Sequence, residues 1–107
     1  MANIDYNGIW QQIAQLAKNQ IQTYAQQAEQ DGKDFVNKAK TKFETYVGQL
    51  ATDPQYTQDM FEDDVLDLAA LADMDRLKQT IILKANIDKF TSGVVDILVK
   101  AGLAAIG

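Results

Sequence analysis

Few residues in this chain could do chemistry. The densest set of titratable side chains is the acidic run Asp59, Glu62, Asp63, Asp64 and Asp67. Clustered carboxylates bind hard cations, and two of them across a cleft divide acid and base roles in hydrolysis. The spacing fits neither use. It lacks the Asp-x-Asp-x-Asp-Gly order of a calcium loop, and on a helix these carboxylates fan out over much of the circumference. A plainer role suits them, because the dipole at a helix start favours anions. There is no histidine and no cysteine, which removes the commonest general base, thiolate chemistry and most transition-metal sites. Ser92 is the sole serine and has no base motif beside it, and Gly93 stands alone rather than in a phosphate-cradling loop. The expectation is a protein with no catalytic residue, no cofactor and no metal, and not an enzyme.

Charge narrows the partners. The net charge is −5, and Arg76 is the single arginine. Nucleic acid calls for clustered Lys and Arg on one face, so no nucleic-acid partner is expected. Anionic membrane surfaces are disfavoured for the same reason. The opening MANIDYNGIW has neither the basic region nor the apolar core of a signal peptide, and no apolar run is long enough to span a bilayer. The sequence reads as cytoplasmic, with signal-less export or virion assembly compatible with it.

The elements that would position any functional surface are helical. Four copies of an eleven-residue unit run from Trp10 to Asp53: WQQIAQLAKNQ, IQTYAQQAEQD, GKDFVNKAKTK and FETYVGQLATD. Their first positions read Trp10, Ile21, Gly32, Phe43, and their fourth positions Ile13, Tyr24, Phe35, Tyr46. Eleven residues fill three turns at about 3.67 per turn, so the apolar stripe stays nearly straight along one helix. Asp31-Gly32 is ordinarily a turn signal, and a chain folded there is the competing architecture. The repeat keeps phase through it, however, with Ala28, Phe35 and Ala39 placed as an unbroken helix needs. The polar face changes midway, from eight glutamines between Gln11 and Gln30 to the lysines of 33–42.

Asp53-Pro54 ends the repeats, and Thr57 is placed to cap a second helix. In the last segment Leu83, Ile87, Phe90, Val94 and Ile97 recur at spacings of four and three, the rhythm of a packed seam. The predicted fold is one all-α domain over 1–107: a long helix over 5–51, a turn at 52–56, and antiparallel helices over 57–73 and 75–105. Reversal near Pro54 would set residue k beside about 108 − k, bringing the lysines of 33–42 alongside the acids of 64–75.

A long hairpin with two wide apolar stripes hides the remainder in a second copy. The expected function is therefore a structural or protein-interaction module that forms a homodimer or packs in a larger assembly. Its contact surface would comprise Trp10, Ile13, Ile21, Tyr24, Phe35, Phe43, Tyr46, Leu83, Ile87, Phe90, Val94 and Ile97. In period only, the repeat resembles those of exchangeable apolipoproteins and desiccation-protective proteins. Those carry many charges where the first two copies here are rich in glutamine. What the resemblance implies is the alternative function, binding at a lipid or membrane surface; independently of it, the apolar tail from Val94 to Ile106 reads as an amphipathic helix that could lie in the interface, or as a buried bundle end.

Overall fold

Local chemistry sets most helix boundaries. A computed structural model describes residues 3–106, and every regular element among them is helical. Helix α1, Tyr6–Gln20, starts where the Asp5 carboxylate accepts a hydrogen bond from the Gly8 amide at 2.9 Å. Helix α2, Ala25–Thr52, runs unbroken through Gly32. Asp53 is extended (φ −103°, ψ 108°), as a residue before proline prefers, and the chain reverses there. Thr57 caps α3, Gln58–Asp67, its hydroxyl accepting from the Met60 amide at 3.2 Å. The chain then tightens into a 3-10 turn at Leu68–Leu71, passes through left-handed Met74 (φ 50°, ψ 42°) and enters the short α4, Asp75–Lys78. Helix α5, Lys84–Ile106, continues without interruption through Ser92 and Gly93.

The helix expected over 5–51 is two helices. Ile21 leaves the helical path, Gln22 turns left-handed (φ 50°), and Gln22–Tyr24 close a 3-10 turn that folds α1 back along α2. A left-handed non-glycine residue costs about 1–2 kcal/mol. Against this, Ile9, Ile13 and Ala17 become fully buried, at 0 % exposure each. Covering a large aliphatic side chain contributes about 1.5–3 kcal/mol, so burying the two isoleucines alone outweighs the turn. The helix expected over 75–105 is likewise divided, by a loop at 79–83 between α4 and α5.

Both arms of the expected hairpin thus fold back on themselves, giving a four-helix bundle with α4 as an appended turn. Helices α2 and α5 form the central pair, each touching both α1 and α3. They run parallel, since Phe90 lies beside Gly32, and Gly102 beside Val47. Helix α1 is antiparallel to both, with Ile13 packed on Gly32, Leu16 on Gly93, and the Tyr6 hydroxyl donating to Glu44 at 2.6 Å. Helix α3 is also antiparallel to the central pair: Phe61 meets Phe43, with ring centroids 6.5 Å apart, and packs over Gly102. The described residues span 46 × 23 × 18 Å, far short of the ~70 Å that an unbroken helix over 5–51 would need.

The predicted sign match recurs in part. Lys38 of α2 pairs with Asp73 in the segment leading into α4, whereas Lys33 pairs with Glu29 on its own helix. The stronger tie was not foreseen. Asp31, 4 % exposed, accepts from the Leu77 amide at 2.8 Å and the Arg76 amide at 3.3 Å, so a carboxylate in mid-α2 caps α4.

Candidate functional site

Several titratable groups between α2 and α4 are occupied in holding the fold. Arg76 Nη1 bridges Asp31 Oδ1 at 3.1 Å and Asp34 Oδ2 at 2.5 Å, and these bonds, to Asp34 first, hold the guanidinium more firmly protonated than usual. The bond from Lys38 keeps the Asp73 carboxyl below the ordinary carboxylate value. These pairs line a groove of about 520 Å³ together with Asp75, so its four carboxylates outnumber the two cations, Lys38 and Arg76, and the groove keeps a negative charge. In the acidic run, Asp64 accepts from the Tyr56 hydroxyl at 2.6 Å, while Asp59, Asp63 and Asp67 lie exposed at intervals of four along α3. Among the described residues, no three His, Cys, Asp or Glu side chains approach closely enough to hold a metal ion. No helix among them is long and apolar enough to cross a membrane.

The residues expected to form an interface between copies mostly pack inside one copy. Ile13, Ile21, Phe35, Phe43, Ile87, Phe90, Val94 and Ile97 are all buried. Trp10, Tyr24 and Tyr46 are half-buried against the same core, and Trp10 lies beside the Tyr6 ring at 6.1 Å between centroids. The physical reason is the fold-back of α1 and α5, which covers each arm's stripe with the other. The Val94–Ile106 tail, read as a possible interfacial helix, instead supplies buried Val94, Val95, Ile97, Leu98 and Val99 to the centre of the bundle. Leu83 alone of the expected contact residues stands out, at 70 % exposure.

Leu83 belongs to an apolar tip at one end of the bundle. Ile81, two residues earlier, is 87 % exposed. A β-branched residue so placed makes no use of its apolar surface within the chain. The loop that projects it is held by Thr80, whose hydroxyl donates to the Leu77 carbonyl at 2.6 Å and accepts from the Ile82 amide at 3.1 Å. On the far side the Leu83 carbonyl accepts from the Asn86 and Ile87 amides at 2.9 and 3.2 Å, anchoring the loop to the first turn of α5. Ile82 points the other way, into a groove of about 550 Å³ shared with Ala69, Ala72, Ile87 and Thr91. Ile81 borders a second groove, of about 410 Å³, with Tyr24 from the α1–α2 turn and Gln27 from the start of α2. The bundle therefore ends in two aliphatic knobs on a hydrogen-bonded loop, with a hollow on either side.

Sequence reasoning missed Ile81 because Gln55 to Ser92 contains no glycine or proline and reads as nearly continuous helix. A usable signal was present in Thr80-Ile81-Ile82-Leu83, a run of β-branched and aliphatic residues in which Ile81 falls off the seam kept by Leu83, Ile87 and Phe90. The arrangement offers apolar contact and shape, with no group positioned for bond-making. No protein-family model, curated protein or solved structure matches the chain.

Proposed function

We propose that this chain is a protein-interaction module, without catalysis, that docks into a larger assembly through the tip formed by Ile81 and Leu83. The observation that carries the reading is their exposure, 87 % and 70 %, on a loop that Thr80 clamps. Burying both on a partner contributes about 3–6 kcal/mol at the usual value per side chain. Because the loop is already ordered, little of that is lost to immobilisation on binding. The hollows on either side supply the remaining complementarity, so the matching partner presents an apolar pocket with knobs to fill them. The charge pairs of the latch at Asp31 and Arg76 support the reading by holding α4, and with it the tip, against α2.

The test is site-specific photo-crosslinking in the native host. A photoreactive residue at position 81 should capture a discrete protein adduct that the same residue at exposed Gln11 does not. Equal adducts at both positions, or none at 81, would remove the reading. A second reading, contact with an anionic lipid interface, is favoured by Lys78 and Lys84 flanking the tip and opposed by the net charge of −5. Co-sedimentation with anionic vesicles, lost on Ile81→Ser with Leu83→Ser, would select it over a protein partner.

A further inference from the structure

We infer that the α1–α2 turn is a hinge, and that the chain exchanges α1 with a second copy of itself to form a domain-swapped dimer. This goes beyond docking at the tip and does not depend on it. The turn lacks turn chemistry. Ile21, Gln22, Thr23 and Tyr24 include neither glycine nor proline, yet Gln22 sits at φ 50°, a conformation that glycine or asparagine ordinarily supplies. The apolar pattern also ignores the break. Buried Ile13, Ala17, Ile21, Ala28, Gly32 and Phe35 stay at helical spacings straight across it. Local preference therefore asks for one helix over residues 6–52, about 70 Å long, where the closed chain has two.

Straightening the hinge carries α1 away from its own α2 and α5. The same slot on a second copy receives it, with Ile13 packing on that copy's Gly32, so no core contact is lost. A short hinge under strain with identical contacts available in either arrangement is the condition that favours swapping. Since Ile13 lies opposite Gly32, the two straightened helices would run antiparallel and cross at Gln22 and Thr23. That crossing lies in an amide-rich stretch, with Gln20, Gln22, Gln26 and Gln27. Around a two-fold axis like charges would oppose one another, whereas amides donate and accept in mutual bonds. In the closed chain Gln20 Oε1 is a buried acceptor with no hydrogen-bond partner among the described residues, two positions from the hinge residue. The crossing brings glutamine amides of the second copy to that site.

The test compares the wild type with Gln22→Ala and Gln22→Gly, each refolded at high protein concentration and measured by light scattering and small-angle X-ray scattering. Position 22 is exposed, and far-UV circular dichroism checks that each variant is folded. A swapped dimer has twice the 11.9 kDa chain mass and contains the long helix. Glycine favours the closed turn about fivefold through its left-handed tolerance alone, so with two hinges per dimer the association constant should fall at least ~25-fold from Ala to Gly. Two glycines inserted after Gln22 should abolish the dimer by slackening the hinge. Ile81→Ser with Leu83→Ser should leave it intact, whereas a dimer docked through the tip would be lost. Equal association constants for the Ala and Gly variants, a dimer abolished by the tip changes, or no dimer in any variant would overturn the inference.

Discussion

Gly32→Ala separates the folded-back bundle from a simple long helix. In an exposed helix this change contributes up to about 1 kcal/mol, because alanine is the better helix former. Here the added Cβ would lie 2.8 Å from Ile13 Cγ2 and 3.5 Å from Phe90 Cζ. Phe90 is at ordinary contact distance, but Ile13 is not, and its branched methyl is stiff about χ1 and fully buried. Forcing a methyl group into a packed core costs about 1–3 kcal/mol, so the net effect should lie between neutrality and a loss of about 2 kcal/mol. In a domain of this size the upper end corresponds to roughly 10 °C in Tm. Gly48 is the internal control, since nothing lies within 4 Å of a Cβ built there, and Gly48→Ala should stabilise by up to about 1 kcal/mol. Urea denaturation followed by circular dichroism reads both. Adding Ile13→Ala removes the clashing methyl, and in that background Gly32→Ala should become neutral or favourable. If Gly32→Ala stabilises as much as Gly48→Ala in the parent chain, α1 does not pack on α2 at this level and the fold-back is refuted.

Asp31→Ala should cost about 1–3 kcal/mol by leaving the buried Leu77 amide without its acceptor, and chemical denaturation would show the loss directly. Thr80→Ala removes both bonds of the tip clamp; the Ile82 amide should exchange hydrogen markedly faster while global stability falls by only about 1 kcal/mol. Burial, and then the bonds to Glu44 and Asp64, push the Tyr6 and Tyr56 hydroxyls well above the ordinary tyrosine value of 10.0. The folded state thus keeps protons that the unfolded chain releases, so stability should hold below pH 10 and decline as pH rises beyond it. Tyr6→Phe and Tyr56→Phe should each make that alkaline decline shallower, and an unchanged slope would contradict the assignment.

The sequence made the ends of elements readable where a side chain acts on its own neighbourhood. Pro54 and Thr57 perform the roles that their types imply. Phase across Gly32 agrees with the unbroken α2, but the same phase runs across Ile21–Tyr24, where the chain turns, so periodicity alone did not separate the two sites. The fold-back at Ile21–Tyr24 was not legible, since the local residues favour helix and the burial of Ile9, Ile13 and Ala17 as α1 packs on α2 and α5 is what bends the chain. The same gap bears on the contact surface. An apolar stripe marks what must be covered without saying what covers it, so Phe35, Phe43 and Phe90 read equally well as a seam between copies and as one chain's core. Asp31 was hidden by its own signal, because Asp-Gly suggests a turn, whereas here the aspartate reaches across to cap α4. Ile81 carries its meaning only once Thr80 has been seen to break the helix.

The central claim is that the bundle hides its repeat and leaves Ile81 and Leu83 as the contact. Carbene footprinting of the intact chain, alone and in native extract, tests it most directly. Alone, label should enter Ile81 and Leu83 heavily and spare Phe35, Phe43 and Phe90; in extract, residues 81–83 should lose label selectively. Unchanged labelling at the tip, with protection appearing instead along the outer face of α3 at Met60 and Leu66, would contradict the account.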